Sequence, residues 1–147
     1  MAFDSRLLCV IVAAALLGSH APPALAETPY RVIVNPSVKG TQITRAGVSA
    51  IFLKQVRKWG DGSAAFPVDQ SLRSPVRESF SRAVLRQEID AISIYWQQQM
   101  ARGLVPPMVK PSDEAVVSFV ASTAGAIGYV SAETTLPESV RILTVVD

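Results

Sequence analysis

Arg6 is followed by an unbroken apolar run, Leu7 to Leu17, and then by the small residues of Ala24-Leu25-Ala26. A positive charge, a short apolar stretch and small residues at the positions a signal peptidase reads are the layout of a secretory signal. Residues 1–26 are therefore expected to be a signal peptide, and 27–147 to fold as one domain. Eleven apolar residues are too few for a comfortable transmembrane span, so no stable membrane span is expected after cleavage. What folds is then 121 residues (147 less 26), enough for one modest core.

The same cut removes Cys9 and His20, the chain's single Cys and single His. That excludes disulfides within the remainder, zinc centres built on Cys or His, and Ser-His-Asp or Cys-His nucleophile systems. No Gly-rich nucleotide loop or closely spaced carboxylate pair stands in their place. The reading is a protein that is not an enzyme and carries no metal or cofactor. Loss of Asp4 and Arg6 leaves the formal net charge at +2. That is too little basicity for nucleic acid, so any anion must be held by a local site.

Strand and helix signals alternate along the remainder. Residues 31–34 read as a buried strand ended by Asn35-Pro36. Thr44 can cap a helix to about Lys54, with Ala46, Ala50, Ile51 and Leu53 on its apolar side. Residues 66–69 read as a strand in which Pro67 suits a strand start or an edge. Ser74 is a good N-cap and Pro75 a good first helical residue, for a helix to about Arg86 that packs Val76, Phe80, Ala83 and Val84. A second helix over 88–102 carries a stripe of Ile89, Ile92, Trp96 and Met100. The prolines of "LVPPMVKP" at 104–111 predict an extended crossing segment. Ser112 caps a helix over 113–122, whose Asp113 and Glu114 suit its positive end. "AIGYVS" at 126–131, entered through Gly125, and 140–146 read as the closing strands. Within 126–131, Tyr129 is expected to face opposite to Ile127. The order predicts an α/β fold, a small sheet covered by helices.

The stretch 68–80, "VDQSLRSPVRESF", carries the candidate site. A helix start exposes unpaired backbone N–H groups and partial positive charge, and so attracts phosphate or sulfate. Ser74 can add a hydroxyl, Val76 a backbone amide, and Arg73 and Arg77 charged forks that suit tetrahedral oxyanions. A strand, a short loop and a helix start also place such a site where ligands of open α/β sheets bind. The same residues equally describe a helix that caps only itself, with Arg77 turned to water and an ordinary surface pair between Glu78 and Arg82. Trp59 and Trp96 read as packing residues, and Gly125 and Gly128 as turn and close-approach positions.

Five phrases fall in an order that resembles the phosphate-binding periplasmic proteins of ABC transporters. They are "VIVNPSV" at 32–38, "AIFLKQVRKWGDG" at 50–62, "FPVDQ…SPVRESFSRAVL" at 66–85, "YWQQQMARGLVPP" at 95–107 and "VVSFVASTAGAIGYVSAE" at 116–133. The resemblance is to about half of such a protein, and it implies one lobe of a type II periplasmic binding fold. Full members close two lobes over a ligand, so a wholly enclosed site is not implied for this chain alone. The phosphate loop departs from the family pattern. Ser74 matches, but Pro75 stands for a Gly, Val76 for a Thr and Gln70 for an Arg. The resemblance thus implies a periplasmic component related to ABC transport that binds inorganic phosphate or a similar small oxyanion weakly. The partner it implies is an ABC transporter or another protein of the cell envelope. The alternative is a ligand-free lobe serving protein–protein interaction.

Overall fold

A computed structural model describes residues 29–147, and the expected signal peptide lies outside the described residues. The framework is a five-stranded mixed sheet in the order β4-β3-β5-β1-β6. Its members are β1 (Tyr30–Val34), β3 (Phe66–Gln70), β4 (Met108–Lys110), β5 (Ala126–Ser131) and β6 (Arg141–Ile142). β3 pairs in parallel with both β4 and β5, whereas β1 runs antiparallel to β5 and β6. A small parallel pair, β2 (Gln42–Thr44) with β7 (Thr144–Val146), stands apart from it.

Helices cover both faces. α1 (Arg45–Phe52), α2 (Pro75–Phe80) and α3 (Ile89–Met100) supply one face, and α4 (Asp113–Ser122) covers the other. Strand alternation divides the core accordingly. Tyr30, Val32 and Val34 of β1 join Ile127 and Tyr129 of β5 against Val48, Phe52, Phe80, Ile92 and Trp96. Ile33, Ala126 and Val130 point the other way, onto Val116 and Val120 of α4. Ile127 and Tyr129 therefore share a face, contrary to expectation, because residues two apart along a strand always do.

The caps read from sequence are in place. The hydroxyls of Thr44, Ser74 and Ser112 accept from the amides of Gly47, Arg77 and Ala115. Asn35 closes the other end of α4, its amide group donating to the carbonyls of Val120 and Ala121 at 2.8 and 3.1 Å. Other boundaries differ. α1 stops at Phe52, before Lys54 in a left-handed conformation at φ 53°. α2 widens into a π-helical turn, Ser81–Leu85, which ends at left-handed Arg86. Met100, placed by sequence in the core stripe of α3, is half exposed on its last turn. Residues 140–146 form two strands, because the chain leaves β1 at Leu143 and moves to β2. The extended segment 104–111 contributes β4, one of the sheet's two outer strands. β3 is an inner strand, not an edge, and tolerates Pro67 because its ladder with β5 stops there, at Pro67 opposite Ile127.

Candidate functional site

Beyond Pro67 the strands β3 and β5 are joined by side chains instead of a ladder, and this junction underlies the 68–80 stretch. Asp69 and Gln70 end β3 and are both buried. Asp69 Oδ1 accepts the amide of Gln70 at 2.9 Å and the hydroxyl of Tyr129. Asp69 Oδ2 meets Arg77 Nη2 at 3.0 Å, and Arg77 Nη1 donates to the carbonyl of Gln70 at 2.5 Å. Arg77 is only 5% exposed, and its Nε is buried without a partner. The Tyr129 ring stacks on Phe80 at 3.9 Å, so the phenol rises out of an aromatic core to reach the carboxylate. Burial pushes the Asp69 carboxyl above its usual range, against the pull of Arg77, the Tyr129 hydroxyl and the Gln70 amide. Burial, then the neighbouring Asp69, pushes the Tyr129 phenol far up, which keeps it a donor.

A second layer lies above this pair. The Gln70 side chain donates to the carbonyl of Tyr129 at 2.9 Å and to Asp113 Oδ1 at 2.7 Å. Its oxygen accepts the Ser74 hydroxyl at 2.9 Å. Asp113 Oδ2 also accepts the amide of Ser131 at 3.0 Å and the hydroxyl of Thr134 at 2.5 Å. The carboxyl ends of three parallel strands, β3, β4 and β5, thus meet the starts of α2 and α4, with one carboxylate tying them together.

The four residues singled out by sequence are dispersed across this arrangement. Arg77 points inward, away from water, and holds the end of β3. The Ser74 hydroxyl is engaged by Gln70 and by the amide of Arg77. Val76 borders a cavity of about 440 Å³ with Pro75, Ser79, Ser131 and Glu133. Arg73 is exposed on the turn before α2, its amide 3.4 Å from Ser71 Oγ. Of the first amides of α2, Pro75 has none and that of Arg77 is taken, so the helix start offers the amide of Val76. The expected surface pair is present, with Arg82 2.8 Å from Glu78 and also bound to Glu88. Trp59 donates to the carbonyl of Gly125 at 2.9 Å, and Trp96 is buried, both as packing residues.

Sequence reasoning passed over Asp69, Gln70, Asp113 and Tyr129 as a group. A signal existed in Asp69, a carboxylate directly after the apolar Phe66-Pro67-Val68 in a segment read as a strand, which if buried demands a cation within reach. Among the described residues no group of His, Cys, Asp and Glu is arranged to hold a metal, and no helix is long and apolar enough to cross a membrane.

No protein-family model matches the chain, and no curated protein matches it. Solved structures do match. An ABC-type phosphate transport receptor from Vibrio cholerae superposes with a TM-score of 0.63 at 18% identity, over 80% of this chain and 46% of its own. A protein from Clostridium perfringens with bound phosphate, assigned as a phosphate ABC transporter substrate-binding protein, gives 0.64 at 16%, over 80% and 44%. PstS from Borrelia burgdorferi gives 0.61 at 17%, over 80% and 47%. The chain spans less than half the length of each. At these identities the match establishes the fold: a central sheet flanked by helices, as in a lobe of the phosphate-binding transport proteins.

Proposed function

We propose that this chain is a periplasmic solute-binding-like lobe that takes a small oxyanion, phosphate first, at the turn between β3 and α2. The observation that carries this reading is the convergence of three parallel strand ends and two helix starts at one end of the sheet. Arg73 supplies free charge there and the amide of Val76 a donor, while Ser74, whose hydroxyl already donates to Gln70, borders the site and caps the helix. Arg77 acts from beneath, by fixing the turn. With Pro75 lacking an amide and Asp113 and Glu133 adding negative charge nearby, binding is weak, about −4 to −6 kcal/mol. A transport role alongside an ABC transporter follows from the same reading.

Calorimetric titration with phosphate, with sulfate and chloride as controls, tests it. Saturable phosphate binding should weaken several-fold in Arg73→Ala and tighten in Pro75→Gly/Val76→Thr, which returns an amide and a hydroxyl. Absence of heat to millimolar phosphate in both the protein and the Pro75→Gly/Val76→Thr variant sinks the reading.

A specific observation favours a second reading, a ligand-free lobe that docks on an envelope protein. Gln70 and Asp113 fill the strand-end crevice with their own hydrogen bonds. In that case phosphate gives no heat, and the protein self-associates or binds a partner through an apolar surface. A strictly monomeric protein that binds phosphate excludes it.

A further inference from the structure

At the opposite end of β3, where the strand begins, lies a cavity of about 340 Å³. Its volume is within the range of small-molecule sites. Val56, Phe66 and Val105 supply apolar wall and are 45%, 47% and 71% exposed. Single exposed apolar residues are ordinary, but three that border one concavity form a patch. Lys54 and Arg57 border the same cavity, and no acidic residue does. The ion pairs among the described residues involve Lys39, Arg45, Arg77 and Arg82, and neither of these two. Lys54 is held at φ 53°, the left-handed residue that closes α1, with the amide of Gln55 returning to the carbonyl of Ala50 at 2.9 Å. Burial, then the charge of Arg57, lowers the Lys54 ammonium below its usual range. Two uncompensated cations beside an open apolar wall match a ligand with an anionic head and an apolar body.

We propose that this cavity binds a small amphipathic carboxylate, its head on Lys54 and Arg57 and its apolar body against Val56, Phe66 and Val105. Arg57 supplies the fork that suits a carboxylate and Lys54 the point charge. This site lies at the other end of β3 from the oxyanion turn and stands independently of it. Phosphate, with no apolar body, is not its ligand.

Octanoate is the probe, titrated into the purified protein by calorimetry and by amide NMR, with octylammonium and acetate as controls. Octanoate should bind saturably and move the amides of Ala65, Phe66 and Val105, while neither control does. The Lys54→Gln/Arg57→Gln variant should bind octanoate about tenfold more weakly or worse. Its thermal unfolding should be unchanged, because neither side chain is buried in the core. Octylammonium binding as well as octanoate overturns the proposal, since the wall alone would then act. So does unchanged affinity in the variant, where the two cations would serve only the negative end of α1, or a failure of octanoate to saturate. The comparison of octanoate with octylammonium uses the unaltered protein and stands even if the variant folds poorly.

Discussion

Arg77 sits in the first turn of α2, a place from which an arginine usually reaches water, yet it is buried against Asp69. Two charges taken out of water together are held by each other and by the Tyr129 hydroxyl and the Gln70 backbone. Removing one leaves the other without compensation, so Arg77→Met should cost about 3–5 kcal/mol at neutral pH. The pH dependence has a definite sign. The folded-state pKa of Asp69 is raised, so its titration contributes stability that is fully present below the ordinary carboxylate value and lost as pH rises through the raised one. Without the guanidinium that value rises further, so the deficit of Arg77→Met should shrink as pH falls toward 4. Urea unfolding of both proteins across that range checks this, and a deficit that grows in acid would contradict it. The bare residues named the turn but not its use. Arg73, Ser74, Val76 and Arg77 adjoin in sequence, yet they diverge in space, because one helical turn carries Arg77 onto the inner face while Arg73 stays outside. Only the register of β3 against β5 shows that Asp69, sixty positions before Tyr129, is the inward partner.

At the scale of elements, β5 is the strand on which both core faces close; Gly128 within it sets the spacing to α4, and Gly125 just before it sets the entry turn. A methyl at Gly128 would stand 2.7 Å from Val116 Cγ1 and 2.8 Å from Val68 Cγ1, so α4 can lie close only over a glycine. Valine side chains are stiff, and Gly128→Ala should destabilise by about 1–3 kcal/mol. Gly125, at φ 77°, would put its methyl 2.1 Å from the carbonyl oxygen of Ala64, so Gly125→Ala should cost more than Gly128→Ala. Equal, small losses in urea unfolding would show that α4 can shift to make room. This strand was legible because glycines, β-branched residues and an aromatic mark it locally, and the Ser and Thr caps were legible for the same reason. What could not be read is whatever depends on a distant partner. The Gln42–Thr44 segment is a strand only because Thr144–Val146 lies beside it, and 140–146 divides only because two neighbours compete for it. The π-helical turn after α2 likewise follows from packing of Val84 and Leu85 into the core, not from any residue that favours it.

Across the whole molecule, the sheet order places β3, β4 and β5 side by side in parallel, with the reversed strand β1 separating them from β6. The parallel side gathers the helix starts of α2 and α4, and the solved phosphate-binding proteins share this architecture over 80% of the chain. The two proposed sites lie at opposite ends of β3, so phosphate and octanoate should bind without competing. A calorimetric titration of one in the presence of the other checks this, and mutual exclusion would mean a single shared site.

The buried pair of Asp69 and Arg77 also bears on how fast the chain folds. Its charges can shed water only after β3 has found β5, a contact between residues about sixty positions apart, so the junction dries late. That dehydration adds to the barrier on the way in and is partly refunded on the way out. Stopped-flow refolding should therefore be faster when both charges are replaced together, as in Asp69→Asn/Arg77→Met, than in the parent. Arg77→Met alone should chiefly hasten unfolding. The same lock that fixes the turn before α2 would then also slow the closing of β3 on β5.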